Sequence, residues 1–359
     1  MWWVVRSVTR RQAVHPRVPR TTNHAVLLAL VLSACAGDGR TPLVVYSPHG
    51  RDLLTLFEQQ FEQLRPDVDV RWLDMGTQEI YDRVRSERAN PQGDVWFGGS
   101  TQVFAQAAGD SLLEPFRPGW ADAVAARDRH PADLYTAVYE TPVVIAFARD
   151  AVSQAEAPRD WDDLLLPRWR GHILIRDPLA SGTLRAAWGL IIERGLRATG
   201  DTAAGFAWLR RLDAQTKEYV QNAALLDDKI VRQEGLVTIW DLPDILLSIE
   251  HGLPLGYTFP ASGTAVIPDP IAVIRGARHG DAARAFVDYI GSPDAQLLAA
   301  RRVYRLPARL DIPADSLPEW ARAVRRDMVV ADLDWDLLAR DGPGWMRWWD
   351  QTVRARGGR

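Results

Sequence analysis

The sequence predicts an α/β protein built as two lobes with a ligand cleft between them, and three observations carry that expectation. Compact apolar runs alternate with amphipathic helical stretches along most of the chain, the pattern of a mostly parallel sheet covered by helices on both faces. A length of 359 residues exceeds what one core ordinarily organises, and a composition 47% hydrophobic and 25% charged is that of globular protein, so about two domains follow. Two apolar, β-branched stretches sit where the chain would leave one domain and re-enter it, which makes the domains discontinuous. The hinge strands are expected near 142–148 and 267–274, with the cleft at the carboxyl ends of the parallel strands.

Taken in order, the run 42–46 (PLVVY) reads as a buried strand and Ser47-Pro48-His49-Gly50 as the loop after it. A helix over 52–64 places Leu53, Leu56, Phe57, Phe61 and Leu64 on one face. The next strand is 68–73, the next helix 81–88, and a third strand, 94–97, ends in Gly98-Gly99-Ser100-Thr101. Residues 141–148 read as the strand that leaves the first domain. Strands follow at 172–175, 218–220 and 236–239, with helices from about 184 and over 203–212. Residues 271–274 are the second crossover candidate, 281–290 an amphipathic helix, and 317–355 hold helical stretches rich in Trp. The organisation expected is lobe 1 from 42–142 with 267–310, lobe 2 from 143–266, and a C-terminal helical segment, 311–359, packing on the lobes.

The first 34 residues differ in kind. They carry Arg6, Arg10, Arg11, Arg17 and Arg20 with no acid, followed by the apolar run 25–32. That run is far short of the roughly 20 residues a membrane-spanning helix needs, and a basic region before a short apolar one is the pattern of a secretory signal peptide. It ends in Leu32-Ser33-Ala34-Cys35, which resembles the bacterial lipobox. Cys35 is the single cysteine, and lipidation gives an unpaired thiol a reason in an oxidising compartment. Residues 1–34 are thus expected to be removed and 35–41 to form a tether. The protein would then be held at the periplasmic side of the inner membrane, or the cell surface, through Cys35.

Removing that leader takes away basic residues only, so the mature chain is more acidic than the formal net charge of −3. Lysine occurs only at Lys217 and Lys229, and the many Arg are scattered among 46 acids, which argues against a nucleic-acid surface. No GxSxG, HExxH, CxxC or P-loop motif is present, and the seven His lack metal-ligand spacing. No enzyme, no catalytic residue, no cofactor and no metal site is expected.

Several stretches, in this order and spacing, carry a family likeness: VVYSPHG, GDVWFGGS, WDDLLLPRWRGHILIRDPLASGT, YVQNAALL and GTAVIPDPIAVI. From about 43 to 309 the chain resembles the periplasmic solute-binding proteins of ABC importers, in the ferric-iron subgroup that also contains relatives for phosphonates, sugar phosphates and thiamine. The resemblance implies a two-lobe binding protein that closes on a small solute and docks on the permease transmembrane subunits. Iron members carry adjacent tyrosines after the strand that is here 236–239. This chain has Trp240-Asp241-Leu242-Pro243 and no Tyr-Tyr pair, and Gly50 stands where the iron pattern has its His. Without hard phenolate donors a ferric site lacks its main ligands.

The candidate ligand-binding residues are these. Ser181, Gly182 and Thr183 open a helix and present free N–H groups and hydroxyls to an anion, plain capping being the other reading. Gly99 and Ser100 follow a buried strand and precede a helix in the same way, or form only a turn. His49 and Gly50 lie at the first strand's carboxyl end, and Arg51 beside them either joins them or faces water. Asn222 is carried into the cleft by the resemblance, although Asn often only closes a turn. Asp241 would repel an anion about 4 Å away by roughly 4 kcal/mol, so it pairs with an Arg, turns away, caps a helix, or meets a positive group on the ligand, where Trp240 adds a cation–π contact.

The expectation is therefore a monomeric, lipid-anchored binding protein for a small anionic or zwitterionic solute: a phosphonate, a phosphorylated compound or a carboxylate. A ferric-iron carrier, a ligand sensor for a membrane signalling partner, and a secreted hydrolase on an unfamiliar scaffold are the alternatives.

Overall fold

The structure is a computed structural model and describes residues 39–354; Cys35 and the leader before it lie outside the described residues. From Thr41 onward the chain folds on one continuous path of strands. Strand β1 (Thr41–Ser47) pairs in parallel with β2 (Val68–Asp74) and β3 (Val95–Phe97). Helices α1 (Arg51–Leu64), α2 (Thr77–Ser86) and α3 (Thr101–Gly109) connect and follow them. After the short β4 (Leu113–Glu114), the long strand β5 (Thr136–Ala148) runs antiparallel to β10 (Val266–Ile274) and then to β8 (Val237–Asp241) and β9 (Leu255–Thr258).

The register shows where the chain crosses between lobes. Residues Thr136 to Pro142 of β5 face β10, and Val143 to Phe147 face β8. The second lobe adds β6 (Ile173–Arg176), α4 (Gly182–Thr199), α5 (Ala203–Asp213), β7 (Thr216–Val220), α6 (Ala223–Val231) and α7 (Leu242–Glu250). The chain returns through β10 to α8 (Gly280–Ile290), α9 (Pro293–Arg302) and β11 (Leu306–Pro307), which pairs with β5. Sheet order along the path is β2-β1-β3-β10-β5-β8-β6-β7.

Each lobe buries its own core. In lobe 1, Phe57, Phe61, Phe97 and Phe286 pack together, with Trp96 and Phe104 on the opposite face of the sheet. In lobe 2, Phe147, Trp161, Leu174 and Trp188 form the centre. The last helices, α10 (Glu319–Asp327) and α11 (Trp335–Trp349), extend that second core, with Trp349 fully buried edge-on to Trp188 at 6.3 Å. Truncating a fully buried Trp of this kind costs about 3–5 kcal/mol. Among the described residues no helix is long and apolar enough to cross a membrane.

Several boundaries move from the sequence reading, and two of them matter to the site. The helix expected from 81 begins at Thr77, because Gly76 in an extended conformation leads straight into it. The strand expected to end at 239 continues through Trp240 and Asp241, because these residues stay in register with Val144 and Val143 of β5.

Candidate functional site

The lobes meet around a cavity of about 60 Å³. One ordered water needs about 10–15 Å³, so the space suits a small polyatomic group. It shares His49, Gly76 and Arg176 with an outer chamber of about 730 Å³.

Three helices point their N-termini at the inner cavity: α2 through Gly76 and Thr77, α3 through Gly99 and Ser100, and α4 through Ser181, Gly182 and Thr183. The first N–H groups of a helix have no intrahelical acceptor and carry partial positive charge, so their convergence favours an anion. The Ser181 hydroxyl caps α4 by accepting from the Leu184 N–H at 3.3 Å. That leaves the earlier N–H groups of Gly182 and Thr183 for other acceptors. The lobes approach closely here: a Cβ on Gly182 would lie 3.1 Å from Ser100 Oγ and 3.2 Å from Thr77 Oγ1. Ser100 Oγ is buried and has no hydrogen-bond partner among the described residues.

Asp177 shapes the loop into α4. Its Oδ1 accepts from the Leu179 N–H (2.9 Å), and its Oδ2 accepts from Gln221 Nε2 (2.9 Å) and pairs with Arg354 Nη1 (2.9 Å). The buried carboxylate is thereby saturated, and the loop that presents Ser181 is fixed from both sides.

The lobe 1 wall is a closed network. Asp269, on β10, accepts from His49 Nε2 (2.7 Å), from the Gly99 N–H (2.6 Å) and from Thr141 Oγ1 (3.3 Å). The other ring nitrogen, Nδ1, lies 3.2 Å from Ser47 Oγ, so both nitrogens of His49 meet protein partners. Gly98 and Gly99 permit this packing at φ +97° and +115°, and a Cβ on Gly98 would lie 2.1 Å from His49 Cε1.

The lobe 2 wall is different. Arg176 ends β6 and lines both spaces. Its guanidinium lies 5.5 Å from the centre of the Trp240 ring, and its Nε is buried without a hydrogen-bond partner among the described residues. Asp241 also lines the inner cavity, where its Oδ1 accepts from the Asp244 N–H at 3.2 Å and so caps α7. Burial, and then the neighbouring Asp244, push the Asp241 pKa well above the carboxylate range.

Of the residues expected from sequence, the cavity thus brings together His49, Gly99, Ser100, Ser181, Gly182, Thr183 and Asp241. Gly50, Arg51 and Asn222 line the outer chamber instead, where Asn222 caps α6 through the Leu225 N–H (2.9 Å). Trp240 is a correction: only 2% exposed, it belongs to the lobe 2 core and gives its face to Arg176, so it lines neither space.

Thr77, Thr141, Arg176, Asp244, Asp269 and Arg305 also line the inner cavity, and sequence reasoning missed them. Asp269 had a signal, a lone acid between prolines in the apolar run Ile267-Pro268-Asp269-Pro270-Ile271. Arg176 had a fainter one, a charge closing the strand before the predicted anion loop.

A family model for bacterial extracellular solute-binding proteins matches residues 94–338. A probable ABC transporter periplasmic-binding protein of Sinorhizobium fredii is 26% identical over 91% of this chain and 90% of its own length. A putative 2-aminoethylphosphonate-binding periplasmic protein of Salmonella typhimurium is 24% identical over 88% of this chain and 93% of its own. The solved periplasmic binding protein AfuA of Actinobacillus pleuropneumoniae, with fructose-6-phosphate bound, shares the fold. It aligns at TM-score 0.78 and 24% identity, over 89% of this chain and 99% of that one.

Proposed function

Because the chain belongs to the bacterial extracellular solute-binding protein family, we propose that it captures a small anionic or zwitterionic solute between its lobes and delivers it to an ABC permease. One observation carries the charge assignment. Three helix N-termini, the unpartnered Ser100 hydroxyl and the Arg176 guanidinium all converge on one small cavity. A phosphate, phosphonate or carboxylate group supplies the acceptors these donors lack, with the body of the solute in the outer chamber. A bare ferric ion would instead meet the Arg176 charge.

The zwitterionic form has its own support in Asp241. A buried carboxylate that burial holds towards its neutral form is stabilised as an anion by a cationic group nearby. Binding favours the closed arrangement because only there do Ser100 of lobe 1 and Gly182 of lobe 2 reach one group together. Calorimetry with 2-aminoethylphosphonate, fructose 6-phosphate, inorganic phosphate and ferric citrate tests the reading. A stoichiometric ferric complex with no binding of the other three overturns it.

The lipid anchor at Cys35 belongs to the same proposal. Cys35→Ser is expected to move the protein from the membrane fraction to the soluble fraction with its thermal unfolding unchanged; retention on washed membranes removes the anchor.

A further inference from the structure

Arg305 follows α9, whose Ala295, Ala299 and neighbouring Val303 belong to the lobe 1 core. It is 5% exposed, and its guanidinium meets three surroundings. Its Nη2 donates to Asp244 Oδ1 of α7 at 3.2 Å and to the His49 carbonyl at 3.4 Å. Its Nε is buried with no hydrogen-bond partner among the described residues, in a side chain that lines the inner cavity. Helix α7 is a lobe 2 element, since Leu242 and Ile245 pack in that core. The contact with Asp244 therefore joins the lobes.

Two further contacts reinforce the junction along the same helix. The Glu250 carboxylate is near enough to the hydroxyl of Tyr304, next to Arg305, to help raise its pKa after burial, and His251 Nε2 lies 4.0 Å from Asp52 Oδ2 at the start of α1. Positions 244 and 251 are seven residues, about two turns, apart, so they address lobe 1 from one side of α7, with Glu250 at the helix end beside them.

We infer that Arg305 is a solute-binding residue and a cross-lobe clamp at once. Its free Nε–H takes an oxygen of the bound anion while Nη2 holds Asp244, so that solute capture and the seating of α7 on lobe 1 are one event. The guanidinium fork suits this double task, and the ammonium of lysine, a point charge, does not. The inference rests on the reading that the cavity takes an anionic group.

Asp244 gives a test by sign. It lines the same cavity, so if it acted only through its charge, Asp244→Asn would tighten anion binding by relieving repulsion. The clamp requires the opposite. The probes are 2-aminoethylphosphonate, fructose 6-phosphate and inorganic phosphate, with affinity read by calorimetry and closure by the distance between spin labels, one on each lobe. Asp244→Asn is expected to weaken the tightest probe about 5- to 10-fold and Arg305→Lys about 10- to 100-fold, each lowering the closed fraction at saturating probe. In the Arg305→Lys background, Asp244→Asn should add little further loss. Tighter binding by Asp244→Asn, or unchanged affinity and closure in Arg305→Lys, overturns the clamp and leaves the anion site standing. Failure of the wild type to bind any of the three at millimolar concentration overturns the anion site and the clamp together.

Discussion

The two walls of the cleft are built from similar residue types but differ in how completely those residues satisfy one another. On lobe 1, Asp269 accepts three hydrogen bonds, and His49 spends both ring nitrogens on protein partners. On lobe 2, Arg176 lies over the face of Trp240 and interacts with Asp74 and Asp241 through charge alone, and its Nε has no acceptor among the described residues. A saturated buried network is rigid and specifies one arrangement, whereas an unsatisfied buried donor is held at a cost that a ligand can relieve. Lobe 1 is therefore largely a pre-set wall, with the Ser100 hydroxyl and the Arg305 Nε left over. Lobe 2 supplies the Arg176 guanidinium, which no carboxylate of that wall holds in a salt bridge.

Breaking the rigid wall should give the largest effect. Gly98→Ala puts a Cβ within 2.1 Å of the His49 ring at a backbone φ of +97°. The clash and the left-handed backbone together should lower unfolding free energy by about 3–5 kcal/mol. Urea titration reads it; a loss under about 1 kcal/mol would mean that the His49–Asp269 wall yields easily.

Arg176→Gln should act on binding and spare the fold. Removing a cavity cation that makes no salt bridge among the described residues should weaken an anionic probe by about 2–4 kcal/mol. Stability should hold or rise slightly, because a desolvated charge is removed. A fall in stability as large as that in Gly98→Ala would erase the distinction between the walls.

A smaller, pH-dependent effect sits at the lobe 2 side of the outer chamber. Burial, and then the charge of Asp244, push the Asp227 pKa up to about 7. The native state therefore holds this proton more tightly than the unfolded chain does. The sign follows: stability falls as pH rises from the ordinary carboxylate range to about 7, then levels off. Asp227→Asn removes that slope and should be more stable than the wild type above pH 7, by about 1–3 kcal/mol. Chemical denaturation at pH 4 and pH 8 measures both ends; identical slopes in the two proteins would return Asp227 to an ordinary exposed acid.

The legible part of this site was the part written locally. Strand-to-helix junctions carry small and hydroxyl residues for reasons of turn geometry, so Gly99, Ser100, Ser181, Gly182 and Thr183 stand out in the sequence. The missed residues depend on partners far along the chain: Asp269 meets His49 across 220 positions, and Arg305 meets Asp244 across 61. Arg176 is one Arg among many, and only the fold sets it over Trp240 with no salt bridge among the described residues. The strand reads from sequence as ending at 239, yet pairing with β5 keeps Trp240 and Asp241 in it. Asp241 then serves as cap and cavity wall together, while Trp240 is turned into the core.

The smallest effects separate the two roles within one helix start. Ser181 spends its hydroxyl on the Leu184 N–H, and Thr183 lines the cavity one turn-step further on. Ser181→Ala should therefore cost about 1 kcal/mol of stability, the ordinary worth of an N-cap. Thr183→Val keeps the shape of the side chain and the N–H of the backbone, and removes only the hydroxyl. If that hydroxyl meets an ionised ligand oxygen, binding of the tightest anionic probe should weaken by about 1–2 kcal/mol with little change in unfolding. Because the main-chain N–H groups of Gly182 and Thr183 remain, the loss should stay below that of Arg176→Gln. Paired calorimetry and denaturation on both variants decide the matter. If Thr183→Val loses stability and not affinity, the residue belongs to the helix cap, and the anion is held by the main chain and Arg176 without it.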